Sequence, residues 1–332
     1  MKHIIKKMIE EKAKTMPILS FPSTALTFST VEELVTDSRK QAEGMKAIVD
    51  HCDVSAALNM MDLSVEAEAF GAEIKFSSHE IPTVTKGIIS DISQAKEVKV
   101  PNIGAARTTI YLEGVRLAKQ QIFEVPVFCG VIGPYSLAGR LFDMTELMMA
   151  CFDDEESVHI LLQKCTEFIM KYIKAFKKMG ADGVIMAEPA AGLLSPRLFE
   201  EFSNVYVKRI FEEINDDNFV SVYHNCGNTL PLIPSIKDSG ADIYHFGNAV
   251  KMEEVLKIMP KELLVMGNIN PVDFRNSTPE KIYAETKDLL FRCSAYSNFI
   301  ISTGCDIPFD ADWKNIDAYF EAVKDFYLEV VK

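Results

Sequence analysis

The chain reads as one α/β domain, a single (β/α)8 TIM barrel with an N-terminal helical extension over residues 1–52 and a small inserted hairpin. Three observations predict this. From about residue 126 onward, short β-branched apolar runs alternate with helix-length amphipathic segments, the rhythm of parallel βα units. Polar residues gather just after those runs, on the face where a barrel carries its active site. The 332 residues, 48% hydrophobic and 25% charged, suit a barrel of roughly 250 residues with additions and exclude a mostly disordered chain.

Within the extension, residues 1–14 are rich in charge, and Pro17-Ile18-Leu19-Ser20-Phe21-Pro22 is extended. Ser29-Thr30 caps a helical stretch that begins at Val31 and runs to about His51. This part is expected to cover the bottom or side of the barrel. The first strand falls at residues 55–59, and a helix over 65–70 stops at Gly71, a common helix terminator. Residues 72–90 alternate polar and apolar around Pro82, which suits a hairpin outside the barrel. Helical spacing returns over 108–122. Strands are expected at 126–131, 183–187, 218–223, 242–246, 263–267 and 299–302, with helices between them and a last helix over 313–331. That makes seven strands, and the eighth is expected within residues 81–105. No repeat, low-complexity tract or linker divides residues 1–332.

A formal net charge of −13 argues against a nucleic-acid backbone as the main partner. No apolar run is long enough to span a bilayer, and the charged first residues do not read as a signal peptide. A cytoplasmic protein is expected. Seven widely spread cysteines then suggest reduced thiols, with a catalytic or metal role for a few of them, rather than a disulfide framework. No G-x-G-x-x-G or Walker sequence supports nucleotide binding.

His224-Asn225-Cys226 ends the run Phe219-Val220-Ser221-Val222-Tyr223. Residues two apart on a strand share a face, so an imidazole and a thiol are presented together. Cys305 follows a second such run, Asn298-Phe299-Ile300-Ile301-Ser302, and precedes the turn-like Asp306-Ile307-Pro308. If both strands open onto one mouth, a nitrogen and two sulfurs converge, a zinc ligand set that leaves a fourth position for chemistry. The other reading is a strand-end histidine beside two buried thiols. Spacing alone rates the two equal. Placement favours the metal, because Asn59, Tyr135, Glu188, His245 and Asn268 also fall just after strands. Each of these five is either a substrate-pocket residue or an ordinary packed strand end. Glu188 is also a candidate partner for the second ring nitrogen of His224.

Several blocks carry a family resemblance. Gly130-Val131-Ile132-Gly133-Pro134, Ala181-Asp182-Gly183-Val184-Ile185-Met186-Ala187-Glu188-Pro189 and Gly267-Asn268-Ile269-Asn270-Pro271 resemble the uroporphyrinogen decarboxylase superfamily over about residues 50–325. His224-Asn225-Cys226-Gly227-Asn228 and Ser302-Thr303-Gly304-Cys305-Asp306 are similar to its zinc-dependent methylcobamide:coenzyme M methyltransferase branch, whose ligands follow H-x-C…C. The resemblance implies zinc held by His224, Cys226 and Cys305, and a methylcorrinoid donor carried by a partner protein. It also implies a small thiol acceptor such as coenzyme M. A methylated small-molecule donor or a tetrahydrofolate acceptor stays open on the same fold, as does a non-catalytic corrinoid-partner protein. The decarboxylases carry an arginine-rich stretch near the N-terminus that grips porphyrinogen carboxylates, and residues 16–28 contain no arginine. The methyltransferases offer an acidic residue to zinc after the next strand, where this chain has Tyr244-His245-Phe246-Gly247-Asn248-Ala249. The fourth position is left to water, His245 or Asn248.

Overall fold

The computed structural model describes residues 2–11 and 15–330. Residues 1 and 12–14 of the expected extension, and the last two of the expected domain, lie outside the described residues. Among the described residues nine strands form: β1 (Ala57–Leu58), β2 (Glu73–Ser77), β3 (Glu80–Lys86), β4 (Val127–Ile132), β5 (Gly183–Ala187), β6 (Val220–Asn225), β7 (Ile243–Phe246), β8 (Leu264–Ile269) and β9 (Phe299–Thr303). Seven make one curled parallel sheet in the order β1-β4-β5-β6-β7-β8-β9. β2 and β3 pair antiparallel as a separate ribbon. The Arg107 guanidinium lies 4.8 Å from the Phe76 ring of that ribbon.

Strand alternation sorts the apolar side chains into two cores. Leu58, Ile185, Val222, Ile243, Met266 and Ile300 point inside the curl and pack together. Val184, Met186, Tyr223, Tyr244, Val265 and Ile301 point outward into the helical layer. The amino ends of the strands are covered by the helix His3–Glu10, whose Ile5 and Met8 join the inner core. Lys2 Nζ anchors that helix to Phe219 O at 2.7 Å and to Asp242 Oδ2 at 2.8 Å, both just ahead of strands.

The expected eighth strand within residues 81–105 does not form. Residues 81–86 belong to β3, and Ile92–Lys96 is a 3-10 turn. Pro82 lacks an N–H and suits a two-stranded ribbon better than a buried ladder. The space between β9 and β1 is filled from the extension. Thr15 Oγ1 donates to Ile301 O at 2.5 Å, and Ile18 N donates to Thr303 Oγ1 at 3.1 Å. On the other side Ser55 N donates to Thr15 O at 2.8 Å, and Thr15 bridges Val54 in parallel. Met16 and Ile18 point into the inner core. Pro17 has no N–H to give, so this segment makes only a partial ladder.

The remaining boundaries fall close to those expected. Thr30 and Glu33 form a capping box at Val31–Thr36, and Asp37 caps a second helix, Ser38–His51. The helix Val65–Phe70 stops at Gly71, whose φ of 104° is open to glycine. No described helix is long and apolar enough to cross a membrane.

Candidate metal centre

β6 and β7 pair so that His224 lies directly beside His245. Both are in phase with the inner-core residues Val222 and Ile243, and Ser302 of β9 is in phase with Ile300. These three polar residues therefore form a layer on top of the apolar inner core, and all are buried. Cys226 continues the His224 face one step beyond β6. Gly227, at φ 84°, then turns the chain away. A side chain at Gly192 would strike Cys226 O, so glycine there lets the loop after β5 close onto the thiol loop.

His224 Nε2 lies 2.8 Å from Cys226 Sγ, and Cys226 Sγ lies 3.8 Å from Cys305 Sγ. All three ligand atoms fall within 4.8 Å of one another, and among the described residues no further His, Cys, Asp or Glu joins them. Tetrahedral zinc with sulfur at about 2.3 Å and nitrogen at about 2.0–2.1 Å sets sulfurs about 3.8 Å apart and sulfur and nitrogen about 3.6 Å apart. The sulfur pair already has this spacing. Nε2 would have to back away by about 0.8 Å, from 2.8 Å to about 3.6 Å. The donor set, one soft-to-borderline nitrogen and two sulfurs, suits zinc over magnesium or calcium.

One hydrogen bond joins Cys226 Sγ and Cys305 Sγ. It pushes the Cys305 thiol down to about 4, while the same bond and burial push Cys226 up. One of the two sulfurs is thus held ready as a thiolate, the form that ligates metal. Burial, and then the neighbouring imidazole, hold His245 far below the ordinary histidine range, so it is neutral.

The other expected site residues take distinct places. His245 Nδ1 lies 2.7 Å from His224 Nδ1, and His245 Nε2 lies 2.9 Å from Ser302 Oγ, so both ring nitrogens are engaged away from the sulfurs. Glu188 is not the partner of the His224 ring. It is in phase with Val184 and Met186, which face outward, and its carboxylate accepts from Tyr135 N at 2.7 Å and Ser136 N at 3.0 Å. It caps the helix Pro134–Leu141, and its own N–H donates to His224 O at 3.0 Å. Asn268 Nδ2 donates to Gly247 O at 2.9 Å and Val250 O at 2.8 Å, fixing the loop after β7. Asn59 Oδ1 accepts from Gly130 N at 2.8 Å, and its buried Nδ2 has no partner. The buried Tyr135 hydroxyl lies against the Cys151 thiol in the helical layer, away from the sulfurs of the site. Ser302 was not singled out by its sequence. The signal for it is the shared step of two in Val222/His224, Ile243/His245 and Ile300/Ser302.

A parallel α/β sheet with an imidazole and two thiols converging beyond its strands defines a protein with a candidate site for a thiophilic divalent cation. The model of the uroporphyrinogen decarboxylase (URO-D) family matches residues 17–326, and the chain belongs to that family. It is 25% identical over 295 residues to a methylated-thiol–coenzyme M methyltransferase of Methanosarcina mazei, covering 87% of this chain and 77% of that protein. It is 25% identical over 326 residues to the methylcobamide:CoM methyltransferase MtbA of Methanosarcina acetivorans, covering 94% and 93%. A solved methyltransferase from Methanosarcina mazei superposes with a TM-score of 0.88 at 22% identity over 98% of both chains, a likeness of fold.

Proposed function

We propose that this chain is a zinc-dependent methyltransferase that moves a methyl group from a methylated corrinoid, carried by a partner protein, to a small thiol such as coenzyme M. The observation that carries the reading is the convergence of His224 Nε2, Cys226 Sγ and Cys305 Sγ within 4.8 Å at the carboxyl ends of two strands. The relatives named as methylcobamide:CoM methyltransferases support it. Bound zinc would supply Lewis acidity that holds the acceptor as thiolate at neutral pH, where a free alkyl thiol of pKa about 8.5 is mostly protonated. His224, Cys226 and Cys305 hold the cation, and two cysteinate charges offset its own. Asn59 Nδ2 keeps hydrogen-bonding capacity for substrate, whereas Tyr135, engaged with Cys151, packs beside the site. Glu188, His245 and Asn268 act by holding backbone and ligand in place. In this reading residues 15–20 complete the barrel in place of an eighth strand, and the protein works in the reducing cytoplasm.

A second reading, with a methylated small thiol as the donor, is favoured by the name of the Methanosarcina mazei relative. An anaerobic assay with methylcobalamin and a series of thiols, with and without chelator, tests the first. Thiol-dependent demethylation should fall at least about 100-fold with chelator and in Cys305→Ala, with metal content falling alongside. Transfer indifferent to chelator, or a full zinc complement in Cys305→Ala, would overturn it. Methyl transfer to cob(I)alamin from a methylated thiol other than methyl-coenzyme M, with no demethylation of methylcobalamin by coenzyme M, would favour the second reading.

A further inference from the structure

His224 can ligate through Nε2 only if that nitrogen is bare, which requires its proton to sit on Nδ1. A metal-binding histidine usually gives that Nδ1 proton to a carboxylate, a carbonyl or water. Here the partner is the ring of a second histidine, itself able to donate or accept.

The direction is fixed from the far end of a chain of hydrogen bonds. Met16 O can only accept, so Ser302 spends its single proton on it, at 2.7 Å. Ser302 Oγ must then accept from His245, so His245 carries its proton on Nε2, 2.9 Å away. His245 Nδ1 is left with a lone pair facing His224 Nδ1 at 2.7 Å. Both rings are buried, at 2% and 1% exposure, which disfavours a charged pair. For two neutral rings only one arrangement remains: His224 holds the shared proton on Nδ1, and its Nε2 lone pair faces Cys226 Sγ.

We propose that His245 is a positioning residue: locked by Ser302 and the Met16 carbonyl, it sets the tautomer of His224 and turns its Nε2 lone pair toward the two sulfurs. This rests on the reading of His224, Cys226 and Cys305 as cation ligands. The device has two consequences. It orients the ligand without a carboxylate beside two cysteinates, so no further negative charge is added near the metal. It also ties the ligand to the segment that lies between β9 and β1, because the last acceptor belongs to Met16.

The test compares wild type with His245→Asn, whose Oδ1 retains an acceptor near the position of Nδ1, with His245→Leu, which has none, and with Ser302→Ala. Long-range 1H–15N spectra of histidine-labelled protein, before and after Co2+ or Zn2+ is added, read the tautomers. Competition against a chelator reads affinity. Wild type should show His224 protonated on Nδ1 and His245 on Nε2. His245→Leu should bind Zn2+ about 10–100-fold more weakly, with thiolate-to-Co2+ absorption retained at saturation. His245→Asn should stay within a few-fold of wild type, and Ser302→Ala should give a mixture of His245 tautomers. A metal-free spectrum with His224 protonated on Nε2, or wild-type affinity in His245→Leu, would overturn the proposal. Should wild type take up neither metal, the ligand reading fails, while the tautomers of the metal-free protein still decide the hydrogen-bond direction. If His245→Leu does not fold, His245→Asn and Ser302→Ala carry the comparison.

Discussion

Glu66 and Glu188 are carboxyls sealed in the interior, and burial pushes each up to about 8 against the one or two backbone N–H groups that favour ionisation. A carboxyl raised from about 4.3 unfolded to about 8 folded binds more protons when folded across that window. Stability therefore falls as pH rises from about 4.3 to about 8, by up to about 1.4 kcal/mol per pH unit for each group. Glu66→Gln keeps an oxygen for Ile132 N and should flatten that fall, as read from urea midpoints at pH 5 and pH 8. An unchanged slope in the variant would show that Glu66 does not titrate this way. At this scale the sequence marked the three candidate ligands and hid what surrounds them. H-x-C at a strand end states its own geometry, whereas the His245 and Ser302 contacts depend on the register of β6 against β7 and on what lies beside β9. Glu188 directly follows a strand, which points to the mouth, but its parity, in step with Met186, turns it toward the helices.

The elements divide the molecule into a sealed end and a chemical end. Ile5 and Met8 of the first helix close the inner core where the strands begin, and the candidate ligands lie where β6 and β9 finish, about 17 Å away for a six-residue strand. Met8→Ala should cost about 2–5 kcal/mol by opening a cavity while leaving the metal content of the folded protein unchanged. Lost metal with little lost stability would mean the two ends are coupled. Strand positions were legible within one or two residues because each run is apolar, β-branched and bounded by turn residues. The filler between β9 and β1 was not, since Thr15–Ser20 is short, contains Pro17, and comes from the N-terminus rather than from the strand-helix rhythm. Residues 81–105 supply no eighth strand, because Pro82 and the alternating pattern belong to the ribbon.

For the whole molecule, curling one parallel sheet brings residues 79 positions apart in sequence to 3.8 Å. The methyl-transfer reading needs that closure more than any single side chain, because Cys226 and Cys305 follow strands separated in the sheet by β7 and β8. In that reading the acidic balance, −13 overall, would leave recognition of a carrier protein to shape and local charge rather than to a general attraction for polyanions. Zinc-edge X-ray absorption of the purified, zinc-loaded protein tests the central claim most directly. Two sulfur ligands at about 2.3 Å and at least one nitrogen at about 2.0–2.1 Å are predicted, with one sulfur lost in Cys305→Ala. A first coordination sphere of oxygen and nitrogen alone would contradict it.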